Sequence, residues 1–256
     1  MTRVLVTGGS GRAGRALLER LADEGYEARA TSRSARPSTD GVRWFAADLA
    51  TGRGLEEAVA GVDAVVHLAT APYRGRYSRR VELDGTAALL AAARAAGVGH
   101  LVYVSIVGAD RVPWGYFRLK TRAERLVRDG GVPWTVLRAT QFHEFVELAL
   151  RGMARLGAVV ADPGITVQTV DVRDVARRLT DLIEDGPRQE IVELGGPEVL
   201  TMAEAAGTWL RARGLRRPVL RLRVPGGLGR ACRAGGLVTT AEPAGEITWA
   251  RYLRGE

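Results

Sequence analysis

Short apolar runs alternate with helical patterns through the first 140 residues of the chain. Val4 to Thr7, Tyr26 to Thr31, Val42 to Ala46, Ala64 to Leu68, Leu101 to Ser105 and Trp134 to Leu137 read as six successive strands. Between them Arg15 to Glu24, Leu55 to Ala60, Val81 to Ala96 and Tyr116 to Arg128 carry helical periodicity. Gly25, Gly97 and Gly130 stand where a left-handed C-terminal cap is needed. This rhythm predicts a parallel sheet wound with helices.

Beyond Thr140 the rhythm changes. Phe142 to Leu156, Val172 to Glu184 and Met202 to Arg213 read as helices, and Thr166 to Val170 and Ile191 to Leu194 as strands. Asp171 and Thr201 are N-cap residues, the latter with Glu204 three positions on. The expected fold is α/β: a Rossmann doubly wound parallel sheet over residues 1–140 with a small, mixed C-terminal substrate-binding lobe over 141–256, the whole forming a single structural unit. Pocket residues are expected from segments 72–77 and 107–115 and from around Phe142.

Composition narrows the chemistry. Cys232 is the sole cysteine among 256 residues, which excludes an intramolecular disulfide, a Cys/His zinc cluster and an iron-sulfur site; no metal is expected. No apolar signal core follows Met1, and no apolar run approaches about 18 residues, so a cytoplasmic protein that does not span a membrane is expected. The net charge of +8 raises nucleic acid as a partner, and residues 211–233 hold eight arginines with no acidic side chain. That stretch also lacks every aromatic residue, so it offers nothing on which bases could stack. A small-molecule substrate is the preferred partner, nucleic acid is disfavoured, and monomer and homodimer both stay open.

Thr7-Gly8-Gly9-Ser10-Gly11-Arg12-Ala13-Gly14 follows the first strand and opens the first helix, the context a dinucleotide-binding turn requires. Glycines 8, 11 and 14 give one spacing and glycines 9, 11 and 14 another, and either lets a pyrophosphate approach the backbone, where free N–H groups and the helix dipole favour negative charge. The second strand ends in Thr31-Ser32-Arg33-Ser34 rather than in an acid. Hydroxyls and a guanidinium suit the 2′-phosphate of NADP better than the bare ribose of NAD, and Arg12 is within the same reach. Asp48, with Leu49, follows the third strand where a carboxylate can accept from the adenine amine.

One lysine occurs in the chain. Arginine fills 36 of the 37 basic positions, and Lys120 stands four residues after Tyr116, on the same helical face. A position that keeps lysine in such a chain calls for a compact ammonium with three rotatable donors. Ser105 closes the fifth strand.

Together these motifs resemble the short-chain dehydrogenase/reductase superfamily, in particular its atypical NmrA-like members, over essentially the whole chain from Val4 to the segment near Trp249. The resemblance implies a nicotinamide cofactor, NADP (NADPH) rather than NAD, and a catalytic set of Ser105, Tyr116 and Lys120, the latter two matching Tyr-x-x-x-Lys. It further implies cofactor contacts from Thr7, Gly8, Ser10, Gly11, Arg12, Ala13, Ser32, Arg33, Asp48, Leu49, Ala69, Thr70, Lys120, Thr140 and Phe142. A tyrosine near pKa 10 gives up its proton at neutral pH only when an ammonium stabilises the phenolate. That is the part assigned to Lys120, which is also expected to bind the nicotinamide ribose, while Ser105 holds the substrate oxygen.

The chain departs from the family in two places. Glu82-Leu83-Asp84-Gly85-Thr86 stands where Asn-Val-x-Gly-Thr is common, so a proton relay through asparagine is not expected, and Arg138 to Phe142 lacks a frequent proline. His67 and His100 read as structural residues of strands, and His143 as a minor candidate for substrate contact. The function expected is an NADPH-dependent reductase of a carbonyl or quinone-like small molecule. A non-catalytic NADP sensor and a nucleotide-sugar epimerase or dehydratase remain as alternatives.

Overall fold

Twelve strands and ten α-helices are assigned in a computed structural model that describes residues 2–38, 41–72, 74–242 and 245–256. Tyr73, in one of the expected pocket segments, lies outside the described residues. The first part of the chain runs β1 (Arg3–Thr7), α1 (Arg12–Asp23), β2 (Glu27–Ser32), β3 (Val42–Ala46), α2 (Leu55–Val59), β4 (Ala64–His67), α3 (Arg76–Arg79), a π-helical turn (Arg80–Gly85), α4 (Thr86–Ala95), β5 (His100–Ile106), α5 (Gly115–Asp129) and β6 (Trp134–Ala139). It continues with β7 (Gln141–Phe142), α6 (His143–Arg155), β8 (Val159–Ala161), β9 (Thr166–Val170), α7 (Val172–Asp185), β10 (Ile191–Leu194), β11 (Val199–Thr201), α8 (Met202–Ala212), β12 (Val219–Arg221), α9 (Gly226–Arg233) and α10 (Trp249–Arg254).

Seven strands form one sheet in the order β10-β6-β5-β4-β1-β2-β3. The direction of progress reverses at β1, where β2 and β3 run to one side and β4, β5 and β6 to the other. β1 pairs in parallel with β2 and β4, β2 with β3, and β4 with β5. This is the doubly wound α/β sheet that the alternating pattern predicts. The register sets Thr7 beside His67, His67 beside Tyr103, and Ser32 beside Ala46, so the C-terminal ends of these strands meet along one edge.

By packing, the chain divides into two compact units that are not consecutive segments. The first comprises residues 1–105, 118–137 and 175–192, and the second 106–117, 138–174 and 193–256. In the first, Leu5, Val65, Leu101, Tyr103 and Val136 of the sheet pack with Leu55 and Val59 of α2, Leu89 and Ala93 of α4, and Ala123 and Val127 of α5. Fully burying each larger side chain contributes about 1.5–3 kcal/mol. The second unit gathers Leu150, Ala154, Trp209, Leu210, Trp249 and Leu253 around a small core. It contains a three-stranded sheet β11-β9-β7 and a parallel pair β12-β8.

The helix expected over Val81 to Ala96 proves to be interrupted: α3 passes into the π-helical turn before α4 begins. The chain is closely packed at this point. A side chain on Gly85 would begin 2.7 Å from the Leu49 carbonyl oxygen, and Thr86 Oγ1 donates to the Glu82 carbonyl at 2.7 Å. After α5 the left-handed residue is Gly131 (φ 72°) rather than Gly130. α8 has the expected capping box, with Thr201 and Glu204 each satisfying the other's backbone N–H.

Candidate active site

The turn after β1 is shaped by backbone crowding. Gly8 has φ 72°, a conformation that side-chain-bearing residues rarely adopt, and a Cβ there would meet the backbone of Ala69 at 2.8 Å. A Cβ on Gly14 would sit 2.7 Å from Gly9 Cα and closer still to the Gly8 carbonyl oxygen. Gly11 is the N-cap of α1 and supplies no side chain to its first turn, which also holds no acid. The helix thus begins with N–H groups that its own side chains do not claim, as an anion requires. Ser10 and Arg12 are exposed beside that turn, and Ala13 packs inward.

Thr7, by contrast, is committed to the fold. It is fully buried, its hydroxyl meets His67 Nδ1 at 2.7 Å, and its oxygen accepts from the Ala69 N–H. Ser32 ends β2 in a buried position, with Arg36 Nε donating to its hydroxyl at 3.2 Å, and Arg33 beyond it is exposed with a donor directed at Tyr77 Oη. Asp48 uses one oxygen to hold the Ala50 N–H in its own turn.

Lys120 lies at the centre of a buried polar cluster. Only 4% exposed, it donates to the Val104 carbonyl at 2.8 Å, stands 3.4 Å from Glu82 Oε2, and lies 4.2 Å over the ring of Tyr103. Glu82, itself 1% exposed, also accepts from the hydroxyl of Thr70, from the Ala71 N–H and from Tyr103 Oη. Burial pushes the Glu82 carboxyl up, but Lys120, Thr70, His67 and the Ala71 amide outweigh it and hold it below its ordinary value. Burial pulls the lysine down, opposed by Glu82 and Glu124.

One turn along α5, Glu124 accepts the proton of Ser105 Oγ at 2.5 Å. Tyr116 is buried on α5, at the four-residue spacing from Lys120 that the sequence shows. Ser105, Lys120, Glu82 and Glu124 belong to the first unit, and Tyr116 to the second. Thr140 and Phe142 also lie in the second unit. Thr140 Oγ1 is buried and, among the described residues, has no hydrogen-bond partner; the same holds for both amide atoms of Gln141.

The histidines are structural in their contacts. His67 bridges Thr7 and, through Nε2, Thr86, and burial and then Lys120 push its pKa down to about 4. His100 bonds Thr135, with burial lowering it to about 4. His143 is fully buried, with Nδ1 on Thr169 and Nε2 on the Ile247 carbonyl, so neither nitrogen is left for a substrate.

Residues 8–186, well over half the chain, match the family model for NAD(P)H-binding proteins. The chain belongs to this NAD(P)H-binding family. A (4-alkanoyl-5-oxo-2,5-dihydrofuran-3-yl)methyl phosphate reductase of Streptomyces griseus is 33% identical over 220 residues, 82% of this chain and 74% of that one. A 2-alkyl-3-oxoalkanoate reductase of Stenotrophomonas maltophilia is 39% identical over 131 residues, 44% of this chain and 40% of that protein. Among solved structures, an NADPH-dependent quinone oxidoreductase of Escherichia coli in complex with NADPH superposes with a TM-score of 0.79 at 20% identity, covering 98% of this chain and 99% of that one. As a member of this family the protein is an NAD(P)-dependent oxidoreductase.

The residues fit the family's cofactor. The crowded glycine turn and the uncapped start of α1 suit a pyrophosphate, and the exposed Arg33 offers a guanidinium near the end of β2. Glu124 and Arg36 went unnoticed in the sequence. Glu124 alone carried a signal, eight residues after Tyr116 and four after Lys120 on one helical face. No helix among the described residues is long and apolar enough to cross a membrane, and no His/Cys/Asp/Glu group among them could hold a metal.

Proposed function

We propose that this oxidoreductase is a short-chain reductase of the NmrA-like kind that uses NADPH to reduce a carbonyl or quinone-like small molecule, with Ser105, Tyr116 and Lys120 as its catalytic residues. The observation that carries this reading is the burial of the single lysine beside the end of β5. There its ammonium is fixed by the Val104 carbonyl, one residue before Ser105, on the same helix as Tyr116. The two relatives named as reductases support the class of chemistry. Arg33 and Arg36 near Ser32 support NADPH over NADH.

When bound, the cofactor supplies the hydride. The chain's residues manage the proton: Tyr116 gives its phenolic proton to the developing alkoxide, and the positive charge of Lys120 stabilises the phenolate left behind. Ser105 holds the substrate oxygen. Its hydroxyl donates to Glu124, so it accepts from an alcohol as it stands and donates to a carbonyl after rotation about its Cβ–Oγ bond.

The test is NADPH oxidation across a panel of ketones, aldehydes and quinones, with Tyr116→Phe beside the wild type. Turnover by the wild type that falls roughly 10²–10⁴-fold in the variant, with the Kd for NADPH unchanged, is the expected result. Wild-type turnover retained by Tyr116→Phe removes the tyrosine from the mechanism. Tight NADP binding with no turnover of any substrate favours a nucleotide sensor.

A further inference from the structure

Glu82 stands at the asparagine position of the Asn-Val-x-Gly-Thr pattern that the sequence resembles, and its surroundings explain why an amide would not serve here. Four donors are directed at its two oxygens: the Thr70 hydroxyl and Ala71 N–H at Oε1, and the Tyr103 hydroxyl and Lys120 ammonium at Oε2. An ionised carboxylate is acceptor-only and satisfies all four. An amide would turn an N–H₂ toward one pair and leave buried donors facing donors.

The carboxylate is also placed by the backbone. It projects from the π-helical turn Arg80–Gly85, where Gly85 lies close against Leu49 and the Thr86 hydroxyl donates to the Glu82 carbonyl. Lys120 therefore meets a fixed counter-charge on one side, the Tyr103 ring below it and the Val104 carbonyl on another. A buried ammonium that lost its counter-charge would shed its proton to escape the cost of desolvation.

We propose that Glu82 is a positioning residue for the reaction, a buried counter-ion that keeps Lys120 protonated and fixes its ammonium beside the end of β5. This rests on the catalytic reading of Lys120 given above, and it replaces the relay role of an asparagine with direct charge pairing. The other groups that face the lysine are Glu124 on α5, Tyr103 on β5 and His67 on β4. Glu124 acts in the same sense as Glu82 and has Ser105 as a partner. His67 is buried and neutral above pH about 4, and adds no competing charge at neutral pH.

The single lysine makes the test direct. Protein grown with ¹³C-lysine gives one side-chain resonance, whose titration reports the protonation of Lys120 without any assay of activity. Glu82→Gln is expected to lower the midpoint by about 1–3 pH units relative to wild type, and Glu82→Asp, which keeps the charge, by less. A midpoint unmoved in Glu82→Gln overturns the proposal. If that variant does not fold, the wild type decides: a native Lys120 already neutral at neutral pH overturns the proposal, and an ammonium there supports it. In the activity assay, the alkaline limb of kcat should move to lower pH in Glu82→Gln by the same interval as the resonance. A limb that stays in place while the resonance moves separates Glu82 from catalysis. A wild type that reduces no ketone, aldehyde or quinone refutes the functional reading and leaves the lysine titration to judge the ion pair.

Discussion

The carbonyl oxygen of Gly8 occupies the space in which a side chain on Gly14 would have to begin. One residue thus closes the turn against the first turn of α1, and the other must be glycine for the closure to form. Gly14→Ala should push the turn outward and spoil the line of N–H groups offered to a pyrophosphate. The expected outcome is a Kd for NADPH raised roughly tenfold or more, about 1.4 kcal/mol, by fluorescence titration of the folded variant. Unchanged affinity would show that the turn does not hold the cofactor.

Arg33 is exposed, and its guanidinium donates to Tyr77 Oη at 3.4 Å. If its guanidinium recognises the 2′-phosphate, Arg33→Ala will weaken NADPH by roughly tenfold and leave NADH unaffected. Equal losses for both cofactors would assign Arg33 to general electrostatic attraction. No loss for either would pass the role to Arg36, which already donates to Ser32.

Glu147 ties together the core of the second unit. Burial pushes its carboxyl up, but Arg151, Tyr252, Trp209 and Arg213 all donate to it and bring its pKa down to about 2 from an ordinary 4.5. A carboxyl depressed in the folded state stabilises the protein above its unfolded pKa and loses that contribution as the pH falls. Glu147→Gln should cost about 2–3 kcal/mol in urea unfolding at neutral pH. The gap between variant and wild type should close as the pH drops from 4.5 toward 2. A gap that does not narrow with acid would show that the loss is one of shape and not of charge.

The parallel sheet was legible because its first six strands are short runs flanked by a helix or a turn, most of them apolar. Even so, Tyr26 and Leu68, read as strand residues, fall just outside β2 and β4. The second unit was harder to read for a physical reason. β7, β8, β11 and β12 are two or three residues long, too short to show a period, and their pairing depends on distant segments such as Val159 beside Val219. The π-helical turn was invisible because nothing in the residue types of Arg80–Gly85 sets it apart from an ordinary helix. Ser105, Tyr116 and Lys120 stood out by residue type and spacing. Glu124 shares the helical face of Tyr116 and Lys120, but a glutamate on an arginine-rich helix looks like a solvated partner until the strand that buries it is known.

The near-total replacement of lysine by arginine has a practical consequence. With Lys120 only 4% exposed, the native fold offers amine-reactive reagents no lysine side chain at its surface. Acylation of Lys120 therefore requires an opening of the buried cluster around Glu82 and Tyr103. Its rate is a clock for that opening, read from one modified residue in a chain of 256.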